Sequence, residues 1–243
     1  MTKSIAIVVC FNTVSSTRAL LAKFPAERDY DVVFVNDGST DGTRELLDAS
    51  GFAVVHHDDN RGVGAAIKTG LRYGIDRGYE VGAILAGNDK DDPVQIPDVI
   101  APIVDGRADY VQGSRFQDGG GHDNLPTFRY VMVKVHAQMF RVLTGFNGTD
   151  ALNGFRSFRL SIFSGPEGID IWQGWLDRYE LETYAHYKIL KEPGLRATEV
   201  GVTKTYPPRD PAKKAVKYSH IRPVLDWWVI LRPLVYLGLR IRK

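Results

Sequence analysis

The sequence predicts an α/β fold in which a mostly parallel central sheet is flanked by helices on both faces. Apolar runs of four to six residues recur within residues 1–112, and they are too uniformly apolar to be half exposed. Such runs are typical of buried parallel strands. A polar or glycine-rich turn and then a helical segment follow most of these runs, which is the alternation that builds βαβ units.

Each element is assigned from its own residues. The apolar runs predict strands at 5–9, 31–35, 52–56, 81–86 and 109–112. The helices between them are predicted at about 16–23, with Ser16 or Thr17 as cap, and at about 44–49, 60–77 and 95–104. Beyond them we predict a mobile glycine-rich loop at 119–124, an amphipathic helix at 128–143, a strand or short helix at 158–163, a helix at 175–190 and a strand at 198–204.

The composition is that of a soluble globular protein. A chain of 243 residues is most simply one α/β domain, with or without a small appendage. Its one cysteine, Cys10, excludes an internal disulfide framework and a cysteine-rich metal site, and it ends an apolar run as a buried thiol would. The first apolar run is too short for a signal peptide, so we expect a cytoplasmic location.

Positive charge is concentrated at the C-terminal end. Residues 201–243 hold ten Lys or Arg and two Asp, whereas the whole chain has a net charge of only +2. A basic segment on an acidic body predicts an anionic partner for that segment. Nucleic acid is an unsuitable partner, because the basic residues are clustered with Trp and Leu rather than spread over a polar face.

The segment 221–243 is apolar and aromatic as well as basic. Asp226, Arg232 and Pro233 interrupt its apolar run, which argues against a membrane-spanning helix. Trp227, Trp228 and Tyr236 suit a membrane–water interface. The basic residues suit anionic head groups; they are Lys213, Lys214, Lys217, Arg222, Arg240, Arg242 and Lys243. We expect peripheral binding to the inner face of the membrane, and the alternative is a packing helix or a dimer interface, which leaves a homo-oligomer open.

The turn after the fourth predicted strand is rich in oxygen atoms. Residues 88–92 include Asn88, Asp89, Asp91 and Asp92, and carboxylates this close repel one another unless a cation or solvent relieves the repulsion. A strand that ends in such a turn places it where open α/β sheets bind ligands. The alternative is a solvated acidic loop in which Asp92 caps the next helix.

Six segments in order carry a family resemblance. They are IAIVVCFN at 5–12, VVFVNDGSTDGTRELL at 32–47, NRGVGAAIKTG at 60–70, AGNDKDDP at 86–93, VQGSR at 111–115 and TDALNGFRSFR at 149–159. The chain resembles family 2 glycosyltransferases of the GT-A fold, a Rossmann-like fold, and among them the dolichyl- or polyprenyl-phosphate sugar synthases. The resemblance implies a GT-A domain over 1–206, with a nucleotide-binding half at 1–112 and an acceptor-binding half at 113–206, followed by a basic, amphipathic tail at 207–243.

The resemblance also implies the residues that hold the nucleotide. They are Phe11, Asn12, Asp37, Gly64 and Lys68. The alternative for Asp37 is a helix cap or an Asx-turn, and the alternative for Lys68 is a solvated helix face.

The acidic turn departs from the family pattern Asp-x-Asp-x-Gln. Ala86 and Asn88 stand where the two Asp residues are expected, and Lys90 stands at the Gln position. We expect Mg²⁺ or Mn²⁺ with Asn88, Asp89 and Asp91 as ligands. The opposite hypothesis is that the Lys90 ammonium replaces the metal at the leaving group.

The activity implied by the resemblance is inverting transfer of a sugar from a nucleotide-diphosphate donor. A lipid phosphate acceptor is already anionic and needs Arg residues to position it, for which Arg115 and Arg156 are the candidates. A hydroxyl acceptor needs a general base, for which Asp177 or Glu180 is the candidate. The alternatives are a soluble transferase acting on a saccharide or small metabolite, a nucleotidyltransferase, for which the loop after the first strand is unsuited, and a degenerate module that binds nucleotide without turnover.

Overall fold

The computed structural model describes residues 2–207, 225–239 and 241. The strands are β1 (Ser4–Cys10), β2 (Asp31–Asp37), β3 (Ala53–His57), β4 (Val81–Ala86), β5 (Tyr110–Ser114), β6 (Gly121–Asp123), β7 (Arg156–Arg159), β8 (Ala197–Gly201) and β9 (Thr203–Thr205). The helices are α1 (Val14–Leu21), α2 (Thr43–Asp48), α3 (Val63–Asp76), α4 (Ile96–Val104), α5 (Thr127–Thr144), α6 (Glu180–Lys191) and α7 (Leu225–Gly238).

Seven strands form the main sheet in the order β3-β2-β1-β4-β7-β5-β8. All neighbouring pairs are parallel except those of β7, which lies antiparallel between β4 and β5. The two shortest strands, β6 and β9, form a small parallel sheet of their own. The predicted α/β fold with a mostly parallel central sheet is confirmed, and β7 from the second half of the chain is built into the sheet of the first half.

The core has two layers, one on each face of the sheet, and β1 contributes to both. Its residues alternate, so that Ile5 and Ile7 pack with the helices α3 and α6, while Ala6 and Val8 pack with α4 on the other face. All four are at most 1% exposed. A strand that is buried on both faces must be apolar at every position, which is why the sequence shows runs rather than alternation.

Three predicted elements differ from the observed ones. The helix predicted from residue 175 begins at Glu180, after a short 3₁₀ turn at 174–176. The mobile loop predicted at 119–124 is wrong for Gly121–Asp123, which form β6. The strand predicted at 198–204 is two strands, β8 in the main sheet and β9 in the small one. Val202 lies between them, and its side chain is buried in the core.

The helix α7 packs against α6. Ile230 and Leu234 are buried, and Leu234 joins Phe140 of α5 in a small apolar cluster. Within segment 221–243, α7 is therefore a packing helix, which was one of the two alternatives to membrane binding. Trp228 on the same helix is nevertheless 53% exposed. The basic residues predicted to bind a membrane lie outside the described residues, as does the side chain of Trp227; they are Lys213, Lys214, Lys217, Arg222, Arg240, Arg242 and Lys243. In the described part of the chain, the helices are all too short or too polar to cross a bilayer.

Candidate active site

The carboxyl ends of β1, β2 and β4 lie side by side at one edge of the sheet, because these strands are parallel neighbours. Cys10 at the end of β1 pairs in register with Asn36, and Val9 pairs with Ala86. The turns that follow the three strands therefore converge, as they do at the ligand sites of open α/β sheets.

The turn after β1 is tied to the turn after β2. Asn12 has a left-handed φ of 49°, which asparagine tolerates better than most residues. Its backbone N–H donates to Ser39 Oγ at 2.9 Å, and its Oδ1 accepts from the N–H of Thr40 at 2.8 Å. Asn12 and the preceding Phe11, both predicted to hold the nucleotide, thus lie at the edge where the strand ends converge.

Asp37 ends β2 and is 3% exposed. Its carboxylate accepts hydrogen bonds from Asn60 Nδ2 and from the backbone N–H groups of Arg61 and Gly62, at 2.9–3.0 Å. Nδ1 of His57 lies 2.6 Å from the same carboxylate. The side chain therefore joins the end of β3 to the start of α3, which is a wider role than the helix cap or Asx-turn that was the alternative. A contact between Asp37 and a nucleotide stays a prediction.

Gly64 allows a close approach of backbone to the first turn of α3, and the segment that approaches is 176–178. A Cβ at Gly64 would lie 2.2 Å from the carbonyl oxygen of Leu176. The N–H of Ala65 donates to the carbonyl oxygen of Asp177 at 3.0 Å. The packing of the chain on itself already requires glycine here, and its role at a nucleotide stays a prediction.

Lys68 lies one turn further along α3 and is 8% exposed. Its Nζ lies 2.5 Å from Oδ1 of Asp177 and donates to the carbonyl oxygen of Gln173 at 3.0 Å. The alternative of a solvated helix face is therefore wrong for Lys68. Asp177, a candidate general base, is instead held in an ion pair with a lysine predicted to bind the donor.

The acidic turn after β4 directs its two central carboxylates to different lysines. Asp89 has a left-handed φ of 57°, and its Oδ1 lies 2.7 Å from Nζ of Lys23, just beyond α1. Asp91 is 1% exposed and is paired with Lys204 in β9. The repulsion expected within this turn is thus relieved by two separate ammonium groups.

Lys204 is the residue that sequence reasoning missed. Its Nζ donates to both carboxylate oxygens of Asp91, at 2.6 and 2.8 Å, and to Oδ1 of Asn153 at 2.9 Å. These three bonds use all three ammonium hydrogens. The backbones of Asp91 and Lys204 also form an antiparallel β-bridge, and the N–H of Thr205 donates to the carbonyl oxygen of Lys90. Lys204 follows Asp91 by 113 residues, and nothing in its local sequence marks it.

Lys90 lies beside this ion pair and is 9% exposed. The pKa of Lys90 is lowered to about 8, chiefly by burial and also by the positive charges of Lys204 and Arg129, against the opposing effect of Asp91. Lys90 Nζ and Arg129 Cζ lie 5.6 and 5.8 Å from the centre of the Tyr206 ring. Three cations therefore gather around one carboxylate and one aromatic ring.

Asn88, Asp89 and Asp91 do not fit a divalent metal as a common set of ligands. Lys204 donates to both oxygens of Asp91, whereas the buried Oδ1 of Asp89 lies 2.7 Å from the Lys23 ammonium without a hydrogen bond. Oδ1 of Asn88 accepts from the N–H of Lys90 at 3.3 Å. Within the described ranges, no group of three or more His, Cys, Asp or Glu side chains is arranged to hold a metal ion. Mg²⁺ and Mn²⁺ sites need oxygen ligands that are not already neutralised, so we derive no catalytic step through a metal.

Arg115 is buried next to the lysine cluster and holds Asp150. Its Nε and Nη2 donate to the two carboxylate oxygens of Asp150 at 2.6 and 2.7 Å, and its Nη1 donates to the Tyr206 hydroxyl at 2.5 Å. Burial by itself lowers the pKa of Arg115, but the hydrogen bonds and charge of Asp150 outweigh it and raise that pKa above its usual value. The guanidinium is thus engaged by the protein, and its predicted contact with an acceptor phosphate stays a prediction.

Arg156 and Glu180 are also engaged within the protein. Arg156 is 2% exposed and donates to the carbonyl oxygens of Asn153 and Glu182. Glu180 is 1% exposed and is paired with Arg232 of α7, and burial raises its pKa. The carboxylate predicted as a general base therefore lies in the contact between α6 and α7.

Residues 5–164 match the model of the family described as glycosyl transferase family 2. An undecaprenyl-phosphate mannosyltransferase from Micrococcus luteus is 31% identical over 159 residues, which are 63% of this chain and 65% of that protein. A polyprenol monophosphomannose synthase from Mycolicibacterium smegmatis is 32% identical over 146 residues, 58% of this chain and 54% of that protein. The match thus spans less than two thirds of the length of either relative.

Solved structures share the fold at low sequence identity. Mannosyl-3-phosphoglycerate synthase from Rubrobacter xylanophilus superposes with a TM-score of 0.63 at 14% identity, covering 98% of this chain and 73% of that one. Glucosyl-3-phosphoglycerate synthase from Mycobacterium tuberculosis, solved with Mn²⁺, UDP and glucosyl-3-phosphoglycerate, superposes with a TM-score of 0.62 at 13% identity, covering 98% and 79%.

Proposed function

The chain belongs to glycosyl transferase family 2. We propose that it is a glycosyltransferase that transfers a sugar from a nucleotide-diphosphate donor to a polyprenyl-phosphate lipid, with inversion at the anomeric carbon. Two relatives more than 30% identical to the chain have names that specify a polyprenyl-linked phosphate acceptor. Their names support a lipid phosphate in preference to a soluble hydroxyl acceptor.

The observation that carries the proposal is the state of the two candidate bases. Asp177 is held by Lys68 at 2.5 Å, and the Glu180 carboxylate is buried against Arg232. A base for a hydroxyl acceptor must reach the proton that it removes, which the 1% exposed Glu180 does not do. The Asp177 side chain is 40% exposed, and its carboxylate is engaged by the Lys68 ammonium. A phosphate acceptor is already ionised and attacks without a base, so this arrangement supports a phosphate.

A second support is the outer surface formed by α5 and α7. Four apolar side chains of α5 are exposed at helical spacing, namely Phe128, Val131, Val135 and Val142, with 61% exposure at Phe128 and 76% at Val142. Lys134 and Arg141 lie among them, and the ammonium of Lys134 packs over Phe116. Apolar side chains flanked by basic ones suit the interface of an anionic bilayer, where a lipid acceptor is presented.

In the proposed reaction, the turns at the edge of the sheet hold the donor and the lysine cluster stabilises the leaving group. Asn12 shapes the first of these turns, and Asp37 fixes the start of α3. Lys90 and Arg129 place positive charge where the departing nucleotide diphosphate develops negative charge, which is electrostatic catalysis by fixed groups. The acceptor phosphate attacks the anomeric carbon from the face opposite to the leaving diphosphate, and the configuration there inverts.

The test is transfer of radiolabel from UDP- and GDP-linked hexoses to undecaprenyl phosphate in anionic vesicles. We expect label in the lipid extract with one of the donors, and a large loss of that label in Lys90→Met. Transfer to a soluble saccharide or phosphorylated metabolite, with none to lipid, would contradict the lipid acceptor. If neither sugar transfer nor donor hydrolysis is detected after long incubation, a degenerate module that binds nucleotide without turnover becomes the better explanation.

The membrane surface is tested separately by sedimentation with anionic and with neutral vesicles. We expect the protein to sediment with anionic vesicles, and the variant Phe128→Ser/Val142→Ser to sediment less, because both side chains are exposed and their replacement leaves the core intact. Val94→Ser is the matched control, since Val94 is also 61% exposed but precedes α4. Equal sedimentation of all three proteins would contradict the assignment of this surface to the bilayer.

A further inference from the structure

Two neighbouring histidines at the end of β3 each join the end of β2 to a helix. His56 pairs in register with Asn36, and His57 pairs with Asp37. Adjacent residues of a strand point to opposite faces of the sheet. Nδ1 of His56 lies 3.1 Å from Nδ2 of Asn36, and its Nε2 lies 2.9 Å from Oδ1 of Asp48 in α2. On the other face, His57 is the histidine that contacts Asp37.

His57 is 5% exposed and lies between Asp37 and Thr69 of α3. Its Nδ1 lies 2.6 Å from Oδ1 of Asp37, and its Nε2 lies 2.9 Å from Oγ1 of Thr69. An ionised carboxylate only accepts hydrogen bonds, so Nδ1 of His57 carries a proton and donates it. In the neutral ring Nε2 is then an acceptor, and the Thr69 hydroxyl donates to it. The two contacts fix both the tautomer and the orientation of the ring.

The Asp37 carboxylate has its acceptor positions filled by the protein. Oδ1 accepts from Nδ1 of His57 and from the backbone N–H of Arg61. Oδ2 accepts from Nδ2 of Asn60 and from the backbone N–H of Gly62. Two donors on each oxygen match the two lone pairs that each oxygen offers. The carboxylate is therefore suited to hold segment 60–62, from which α3 begins.

Segment 60–62 is packed tightly on both sides. A Cβ at Gly38 would lie 2.3 Å from the carbonyl carbon of Asp59, and a Cβ at Gly62 would lie 2.4 Å from the carbonyl oxygen of Asp177. The segment is thus enclosed between the turn after β2 and the turn at 176–178. Because protein interiors are close-packed, a shift of the carboxylate that holds this segment is passed on to the start of α3.

We propose that His57 is a positioning residue for donor binding. Its Nδ1–H fixes Asp37, and Asp37 fixes the start of α3, against which the donor lies. His57 itself touches neither the donor nor the acceptor, so the loss of its hydrogen bond weakens donor binding and leaves the chemical step nearly unchanged. This inference rests on the proposed function, because it assumes that a nucleotide-diphosphate donor binds at the start of α3.

Replacement of His57 with asparagine and with glutamine separates the two ring nitrogens. The amide nitrogen of asparagine takes the place of Nδ1, whereas that of glutamine extends towards the position of Nε2 and leaves Asp37 without this donor. In the lipid transfer assay, we expect His57→Gln to raise the donor KM about tenfold, as the loss of a hydrogen bond to a charged group does. Its kcat should stay within about threefold of the wild type, because uniform binding is lost. His57→Asn should keep both constants within about threefold.

The matched control is His56→Gln, the same substitution one residue earlier in β3. Because His56 contacts Asn36 and Asp48 instead of Asp37, the donor KM should stay within about threefold of the wild type. A thermal melt checks that each variant is folded. If His57→Gln does not fold, Thr69→Val and Thr69→Ser carry the same test, because valine removes the hydroxyl that orients His57 and serine keeps it. We then expect a KM about threefold higher or more for Thr69→Val, and recovery in Thr69→Ser.

A readout that does not depend on nucleotide is NMR spectroscopy of the protein labelled with ¹⁵N-histidine. We expect Nδ1 of His57 to carry a proton at pH 8. An Nδ1 without a proton would overturn the inference, because the ring would then have no donor for Asp37.

The kinetic outcomes separate this inference from the proposed function. Equal donor KM values for His57→Asn and His57→Gln, or a fall in kcat with an unchanged KM, would overturn the inference and leave the function intact. If label reaches only a soluble acceptor, the dissociation constants of UDP and GDP, measured by calorimetry, replace KM for the same variants. If the wild type binds neither nucleotide, with or without Mn²⁺, the donor assignment fails and the inference fails with it.

Discussion

Replacing Arg115 with methionine removes one half of a buried ion pair, and we expect a loss of about 3–5 kcal/mol in the free energy of unfolding. The Arg115 and Asp150 side chains are 2% and 0% exposed. The substitution leaves the Asp150 carboxylate buried, and the donors that remain to it among the described residues are the backbone N–H groups of Arg115 and Leu152. The Tyr206 hydroxyl also loses the donor that lies 2.5 Å away.

The expected loss is large because the cost arises from the unpaired charge. A buried pair contributes little net stability when both partners are present, but removing one partner leaves the desolvation of the other uncompensated. For a chain of this size, about 2–4 °C per kcal/mol converts the loss into a fall in Tm of roughly 6–20 °C. Arg115→Lys keeps the charge but loses the bidentate geometry, so its free energy of unfolding should lie between those of the wild type and Arg115→Met.

The assay is urea unfolding followed by circular dichroism, with the slope of the transition checked for equality between variants. Arg107→Met is the matched control, because Arg107 pairs with Asp105 at 2.9 Å while both side chains remain more than half exposed. Its unfolding free energy should change by about 0.5 kcal/mol or less. Arg115→Met that unfolds like the control but no longer transfers sugar would refute the structural role and favour the predicted contact with an acceptor phosphate.

Three further results are expected. Gly64→Ala should cost about 1–3 kcal/mol, because its methyl group would meet the Leu176 carbonyl oxygen, whereas Gly174→Ala, with open space around its Cβ, should change stability by about 0.5 kcal/mol or less in urea unfolding. The Cys10 thiol should resist alkylation at pH 8 in the native protein and react fully in denaturant, since burial raises its pKa to about 12; rapid native labelling would contradict this. Burial lowers the pKa of His136 to about 4 from its usual 6.5, so the unfolded chain takes up this proton first as the pH falls. Stability should therefore drop by about 3 kcal/mol between pH 6.5 and pH 4, and His136→Leu should remove much of that slope.

The sheet and the edge that carries the site were predictable because their signals are local. The run at 5–9 is apolar at every position because β1 is buried on both faces, and that property can be read without knowing its neighbours. Asp37 was predicted to lie in the turn after a strand at 31–35, and it is the last residue of β2, two residues beyond the predicted end. The helix start at Gly64 was likewise predicted from its local sequence, although the backbone that approaches it belongs to this chain.

The insertion of β7 between β4 and β5 was not predictable in the same way. The segment at 156–159 is short and contains two arginines, so its sequence fits a strand or a helix equally well. Its place in the sheet is decided by the gap between β4 and β5 that it fills. There the Phe158 ring packs on the Tyr110 ring, with 5.1 Å between the ring centroids. Tertiary packing overrides weak local preference in such segments.

The sequence by itself determined the fold class, the succession of strands and helices along the first half of the chain, and the family to which the chain belongs. It also located the turn that departs from the family pattern. Only the tertiary structure decided which charges meet there, because these ion pairs join side chains that are distant in sequence. The residues around each side chain give no signal of its partner. Asp91 is paired with Lys204 across 113 residues, and Arg115 with Asp150 across 35. The chemistry of the site is therefore set by how β9 and the loop before β7 pack against the turn after β4.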